Sequence, residues 1–273
     1  MSVRALILLA CLGGSAYAAR QPGEPFRPGM NFFSKQQDVQ LGREAAQEVR
    51  KEYPTYRNAF VQNYVKQIGE RLAAAPEARE SGFPFTFTVV VSPKVNAFAL
   101  PGGPMFIFTG LLKNVDNEAQ LAAVMAHEMS HVILRHGTHE ASKAKMIEIP
   151  ALLANAVLGN QSLLTRLTAL GANSYILKFS RDAESEADAL GAHLMAAAGY
   201  DPIEMARFFH KLQSIGGQGN SRLAQFLSDH PNPGNRERAI EEEAATIPRR
   251  QYGYDSGGFP RMRADVASLP NEK

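Results

Sequence analysis

Apolar positions recur with helical spacing in two early segments. Val39, Ala46 and Val49 mark one face over 35–52, and Phe60, Tyr64, Ile68 and Leu72 mark another over 57–75. The pattern then changes period. Residues 83–91 (FPFTFTVVV) alternate and are aromatic or β-branched, which predicts a strand. Two short apolar runs within 96–110 (NAFALPGGPMFIFTG) flank Pro101-Gly102-Gly103-Pro104 and predict a hairpin. The clearest helix is predicted over 117–136, with Asn117 as N-cap, Gln120 as its capping-box partner and Gly137 just beyond the end. Residues 141–178 read as mostly helical. A further helix runs over 181–198 and stops at Gly199; another starts at Asp201-Pro202, where Glu204 completes a D-x-x-E box. No internal repeat is visible. This order of elements predicts an α+β fold, mainly helical with a small antiparallel sheet.

The two ends read differently. Arg4, the apolar run Ala5–Leu12 and Ala16-Tyr17-Ala18 have the layout of a secretory signal peptide over 1–18, with cleavage expected after Ala18. That places the protein outside the cytoplasm, in the periplasm. Leu8-Leu9-Ala10-Cys11 loosely resembles a lipobox, so anchoring through Cys11 is the alternative. Residues 19–33 are rich in proline and glycine and read as a flexible lead-in to a domain over 34–247; residues 248–273 read as an irregular tail.

Composition narrows the function. With 273 residues, 45% hydrophobic and 21% charged, the chain is ordinary globular protein. A formal net charge of +2 gives no reason to expect nucleic acid as a partner. Cys11 is the single cysteine, so no disulfide can form within the chain. No stretch after the leader has the roughly 18 apolar residues that a membrane-spanning helix needs. The moderately apolar run 149–170 reads first as a packed helical pair, and otherwise as a lid over a cleft or a peripheral membrane contact.

The chemistry is concentrated in His127-Glu128-Met129-Ser130-His131, an H-E-x-x-H run inside the clearest helix. Spacing of four residues puts both imidazoles on one face, where they can share a Zn²⁺ ion, and Glu128 can act on a water beside it. Such a run arises by composition in about one chain per hundred, so its context matters. The flanks are apolar (LAAVMAHEMSHVIL), which places the motif toward a core, where unpaired polar groups are costly. An acidic helix follows, with Glu184 and Asp188 one turn apart among small residues. One of them can complete a His₂Glu site and the other can hold a ligand histidine by its second nitrogen. Glu186 points about 200° away from Glu184 and is expected in solvent or on an arginine. His136 and His193 fall on the far faces of their helices and are expected to be structural; His139 and His210 suggest no role.

HEMSHVILRH followed by SRDAESEAD resembles the zinc metallopeptidases that include the CAAX prenyl proteases, HtpX and the soluble BepA/LoiP-type envelope proteases. SKQQDVQLGREAA, NAFALPGG and SDHPNPGNR extend the resemblance over about 34–240. The resemblance implies a zincin-like (gluzincin) domain binding one Zn²⁺ through His127, His131 and Glu184, with Glu128 as general base and Asp188 on the first histidine. It also implies that His230 can reach the zinc as a regulatory contact, and that Asn96, Ala97, Phe98 and Ala99 form an edge strand that pairs with substrate. Arg236 would stabilise the oxyanion. The expected function is an exported zinc endopeptidase acting on unfolded or misassembled envelope proteins in quality control. A non-catalytic holdase is the rival, but it would have no use for the general base Glu128. An aminopeptidase is disfavoured because PGGPMF lacks the glutamate of a G-x-M-E-N run.

Overall fold

Backbone hydrogen bonding and capping divide the chain into nine named helices and three strands among the described residues. The structure is a computed structural model that describes residues 20–143, 179–216, 230, 235–248 and 250–269. The leader with Cys11, and the run 149–170, lie outside the described residues. The helices are α1 (Lys35–Glu52), α2 (Ala59–Ala73), α3 (Pro76–Ser81), α4 (Thr109–Asn114), α5 (Glu118–Ile133), α6 (Arg181–Ala197), α7 (Ile203–Gly216), α8 (Arg236–Thr246) and α9 (Phe259–Ala267). The strands are β1 (Thr86–Val90), β2 (Ala97–Ala99) and β3 (Pro104–Phe108). Residues 136–143 are also helical.

Local chemistry explains most boundaries. Ser34 and Gln37 form a reciprocal capping box on α1. Asn117 caps α5 by accepting from the Gln120 amide, while the Gln120 side chain reaches back to the Asp116 amide, one residue earlier than a standard box. Ser180 caps α6, and Gly199 leaves it with φ +87°. Glu204 does not close a box at α7; it accepts from Asn117 and Gln120 and ties α7 to the start of α5.

The sheet order is β1-β3-β2. β2 and β3 form the expected hairpin, with Phe98 opposite Phe106. β1, however, runs parallel to β3, so the sheet is mixed rather than wholly antiparallel. The alternation of 83–91 specifies a strand and carries no direction; the crossover through 91–96 sets it. β2 is an edge, with a strand neighbour on one side only among the described residues.

The main core packs α2, α5, α6, α7 and α9 around Leu121, Val124, Met125 and Met129, all fully buried. The expected irregular tail contributes to it. Phe259, Met262 and Val266 of α9 are buried in that core, and buried Glu118 accepts from Tyr200 and Ser256. The lead-in is likewise pinned. Arg20 pairs with buried Glu243, Asn31 donates to Thr138, and the Phe32 amide donates to Ser142. Among the described residues no helix is long and apolar enough to cross a membrane.

One close approach holds the edge hairpin. A Cβ on Gly42 of α1 would lie 1.9 Å from the Pro101 carbonyl, a contact only backbone movement could relieve. Gly42→Ala should therefore destabilise the protein by about 1–3 kcal/mol, the range for forced overpacking. A drop in the urea midpoint with unchanged slope checks it.

Candidate metal centre

Two helices build the site. α5 carries His127, Glu128 and His131, and α6 carries Glu184 in its first turn and Asp188 one turn later. The helices meet closely because α6 presents small residues. At Gly191 an added Cβ would lie 3.3 Å from the His127 amide nitrogen and 2.8 Å from the Met205 methyl. The result is a group of four buried side chains, His127, His131, Glu184 and His230, whose ligand atoms all lie within 4.8 Å of one another.

The separations have the scale of a tetrahedron. His127 Nε2 is 3.0 Å from His131 Nε2, 3.4 Å from Glu184 Oε2 and 3.2 Å from His230 Nδ1. Glu184 Oε1 is 3.5 Å from His131 Nε2 and 3.3 Å from His230 Nδ1. Ligands bound at about 2.0–2.1 Å around a tetrahedral ion are separated by about 3.3 Å. A proton can bridge one such pair; a cation can serve all four donors at once. The donor set of three imidazoles and a carboxylate therefore fits a divalent metal.

The protonation preferences agree with that reading. Burial disfavours a charged His127, but hydrogen bonds and charges from Asp188 and Glu184 outweigh it and push its pKa up to about 9. A cation at Nε2 meets the same two carboxylates that favour that proton. His131 is held well below the ordinary histidine value, by burial above all. Burial would raise Glu184, but the charge of His230 and hydrogen bonds from His127, His131 and His230 hold it far below the carboxylate range. Glu128 is pushed up by burial, and His230 and His127 offset part of the rise.

Around these atoms the structure brings some of the expected partners together and places others differently. Asp188 Oδ1 lies 2.8 Å from His127 Nδ1, as expected. Arg236 is not open toward a developing oxyanion. Its Nε and Nη2 are 2.6 and 2.7 Å from the two Asp188 oxygens, its Nη2 is 3.4 Å from Glu184, and its guanidinium stacks 3.6 Å from the Phe209 ring centre. A carboxylate already on a histidine needs a second partner once buried, and Arg236 is that partner.

His136 is not on a far face. α5 ends at Ile133, and Arg135 takes φ +59°, so the chain turns and His136 comes back beside His131. Glu186, expected in solvent or on an arginine, contacts His136 instead. Both contacts escaped the periodic reading because it ran the helix past its true end. His193 pairs with Glu243 away from the metal group, as a structural histidine should, while His139 meets the Met30 carbonyl and His210 meets Glu237.

A cleft opens beside the group, lined by Phe98, Ala99, Gly102, Glu128, His131 and His230 among others. It runs along β2. The Asn96 carbonyl and the Leu100 amide bond toward β3, so Ala97 and Ala99 turn their amides outward. The Ala97 amide donates to Asn96 Oδ1, and the Ala99 amide donates to Glu128 Oε2 at 3.2 Å. The other Glu128 oxygen lies 3.2 Å from His230 Nε2 without the alignment of a hydrogen bond.

The profile of peptidase family M48 matches residues 59–244. The chain belongs to peptidase family M48. Among curated M48-like relatives, the mitochondrial metalloendopeptidase OMA1 of Schizosaccharomyces pombe is 33% identical over 221 residues, covering 79% of this chain and 64% of that protein. The β-barrel assembly-enhancing protease of Escherichia coli K12 is 30% identical over 208 residues, covering 73% of this chain and 42% of that protein. This M48 chain thus spans less than two thirds of the length of both relatives.

The Asp188–Arg236 pair generates a stability prediction. Removing one member of a buried ion pair leaves the other uncompensated and costs about 3–5 kcal/mol. Arg236→Met should lower stability by that amount. Arg236→Lys should lose less, keeping the charge but not the two-pronged bond. Chemical denaturation of the three proteins checks the order.

Proposed function

We propose that this chain is a zinc-dependent endopeptidase that is exported to the periplasm and cleaves unfolded or misassembled envelope proteins. The observation that carries the reading is the convergence of His127, His131 and Glu184 at tetrahedral spacing, with the buried carboxylate of Glu128 beside them. One Zn²⁺ per chain would be held by those three residues. Bound there, zinc supplies Lewis-acid polarisation of the peptide carbonyl and of the attacking water.

The chain's own residues do the rest. Glu128, raised by burial, takes a proton from the attacking water and returns it to the leaving amine. The Ala99 amide keeps its carboxylate aimed while it does so. Asp188, braced by Arg236, fixes the ring of His127. The edge formed by Asn96, Ala97, Phe98 and Ala99 receives an extended substrate. Its outward amides are engaged, so pairing falls to the outward carbonyls of Ala97 and Ala99 and the substrate's own amides. Such pairing reads backbone rather than side chains, which suits unfolded protein as substrate. The name of the β-barrel assembly-enhancing relative supports an envelope setting.

His230 serves as a restraint in this reading. Its Nδ1 takes the fourth corner of the ligand group, and its Nε2 abuts Glu128, where water and the substrate carbonyl would act.

Two outcomes test the proposal. Glu128→Gln should keep one zinc per chain and the native fold while losing about 10²–10⁴ in hydrolysis rate, the usual weight of general-base catalysis. Metal analysis and peptide cleavage assays read this directly, and comparing fragments in the exported fraction with and without Glu128→Gln would identify substrates. Wild-type rates in that variant would exclude Glu128 as the base. His230→Ala should raise basal proteolysis by freeing the fourth corner. A joint fall in kcat and kcat/KM would assign His230 to the transition state instead.

A further inference from the structure

The metal group is braced unequally. His127 rests directly on a carboxylate, Asp188. Among the described residues, His131 meets no carboxylate at its Nδ1. It meets a second imidazole there: His131 Nδ1 is 2.8 Å from His136 Nδ1, and His136 Nε2 is 3.2 Å from Glu186 Oε2. Both histidines are buried, whereas the Glu186 side chain is 38% exposed. The Phe179 ring stacks on His131 at 4.0 Å and 15°, so the imidazole cannot tilt away from this line.

We propose that His136 and Glu186 form a positioning relay for the metal ligand His131, with Glu186 acting only through His136. The inference rests on the metal-site reading above. Donor counting admits one consistent arrangement when His131 Nε2 offers its lone pair to a metal. His131 must then carry its hydrogen on Nδ1 and donate it to His136 Nδ1. His136 Nδ1 must be the acceptor, which places the His136 hydrogen on Nε2, facing the Glu186 carboxylate. Each imidazole uses one donor and one acceptor, and the series ends on an accepting carboxylate. The relay thereby fixes the ring orientation and the tautomer that ligation requires, as outer carboxylates do for other metal-bound histidines.

The backbone is arranged to make this contact. A continued helix would carry His136, five residues beyond His131, well round the helix from it. Arg135 takes left-handed φ +59°, a conformation disfavoured for any residue but glycine. Asp38 accepts from Arg135 Nε at 2.6 Å and the Phe33 carbonyl accepts from its Nη2, so two elements hold the turn that delivers His136.

The test is zinc affinity, measured on full-length apo-protein by competition with a chromophoric chelator. His136→Ala should raise the zinc Kd by about 10–100-fold, the usual effect of losing such a partner. Glu186→Ala should raise it several-fold, and Glu186→Gln, whose amide oxygen still accepts from His136, should restore most of the affinity. The double variant His136→Ala/Glu186→Ala should bind no worse than His136→Ala alone, because the carboxylate acts through the imidazole. Purely structural roles would instead lower the apo-protein's melting temperature without this order of affinities. A wild-type Kd in His136→Ala, or additive losses in the double variant, overturns the relay. Should His136→Ala fail to fold, Glu186→Ala carries the test at its half-exposed side chain, and an unchanged Kd there overturns the relay equally. Wild-type protein that binds no zinc would instead sink the metal-site reading on which the relay rests.

Discussion

Everything at the centre depends on how closely α6 can approach α5. The closest approach is at Gly191, beside the backbone of Ala126 and His127, and Ala183 and Ala187 are buried on the same helix. A larger residue at 191 would meet the Met205 methyl and press on the His127 amide. Small residues on one helix let the axes draw together, and only then can a carboxylate as short-armed as that of Asp188 reach His127 Nδ1. The hydrophobic core around Val124, Met125 and Met129 stabilises the pair from behind and leaves the polar face no water to fall back on.

That dryness imposes a charge condition. Glu128, Glu184 and Asp188 are all buried at the site, and among the described residues Arg236 is the one guanidinium that meets them. Three buried carboxylates around one guanidinium favour further positive charge at the site, which a protonated imidazole or a bound cation can supply. The position of Arg236 follows from the same condition. Placed in the cleft as an oxyanion donor, it would leave Asp188 with only a histidine; placed behind Asp188, it gives that carboxylate a second partner while its other contact orients the ring of His127.

Local patterns revealed as much of this as local patterns can. The H-E-x-x-H run, the Glu184/Asp188 spacing and the small residues between them are properties of single helices, and they were legible. So was the hairpin, whose turn needs Gly102 and Gly103 at φ +76° and +121°. The parallel partner of β3 was not, because alternation is the same in either direction. His136 was lost when helical periodicity was carried three residues beyond Ile133, and no hydrophobic pattern marks a left-handed arginine. Phe259, Met262 and Val266 of α9 have helical spacing, but the glycines and prolines around them mask it in the sequence. The anchoring of the lead-in, Arg20 on Glu243, joins residues more than two hundred positions apart, beyond the reach of any window.

The edge strand directly contacts the carboxylate proposed as the base. Glu128 sits on α5, but the amide of Ala99 on β2 sets the direction of its carboxylate. β2 is in turn held by the turn at 101–103, which α1 grips through Gly42, and by the register of Phe98 on Phe106. In the proposed reading, the strand that would receive a substrate backbone therefore also orients the carboxylate that would act on it. The proposed ligands His127 and His131 share α5 with Glu128, so this carboxylate is held by the helix that carries them and by the strand proposed to take the substrate.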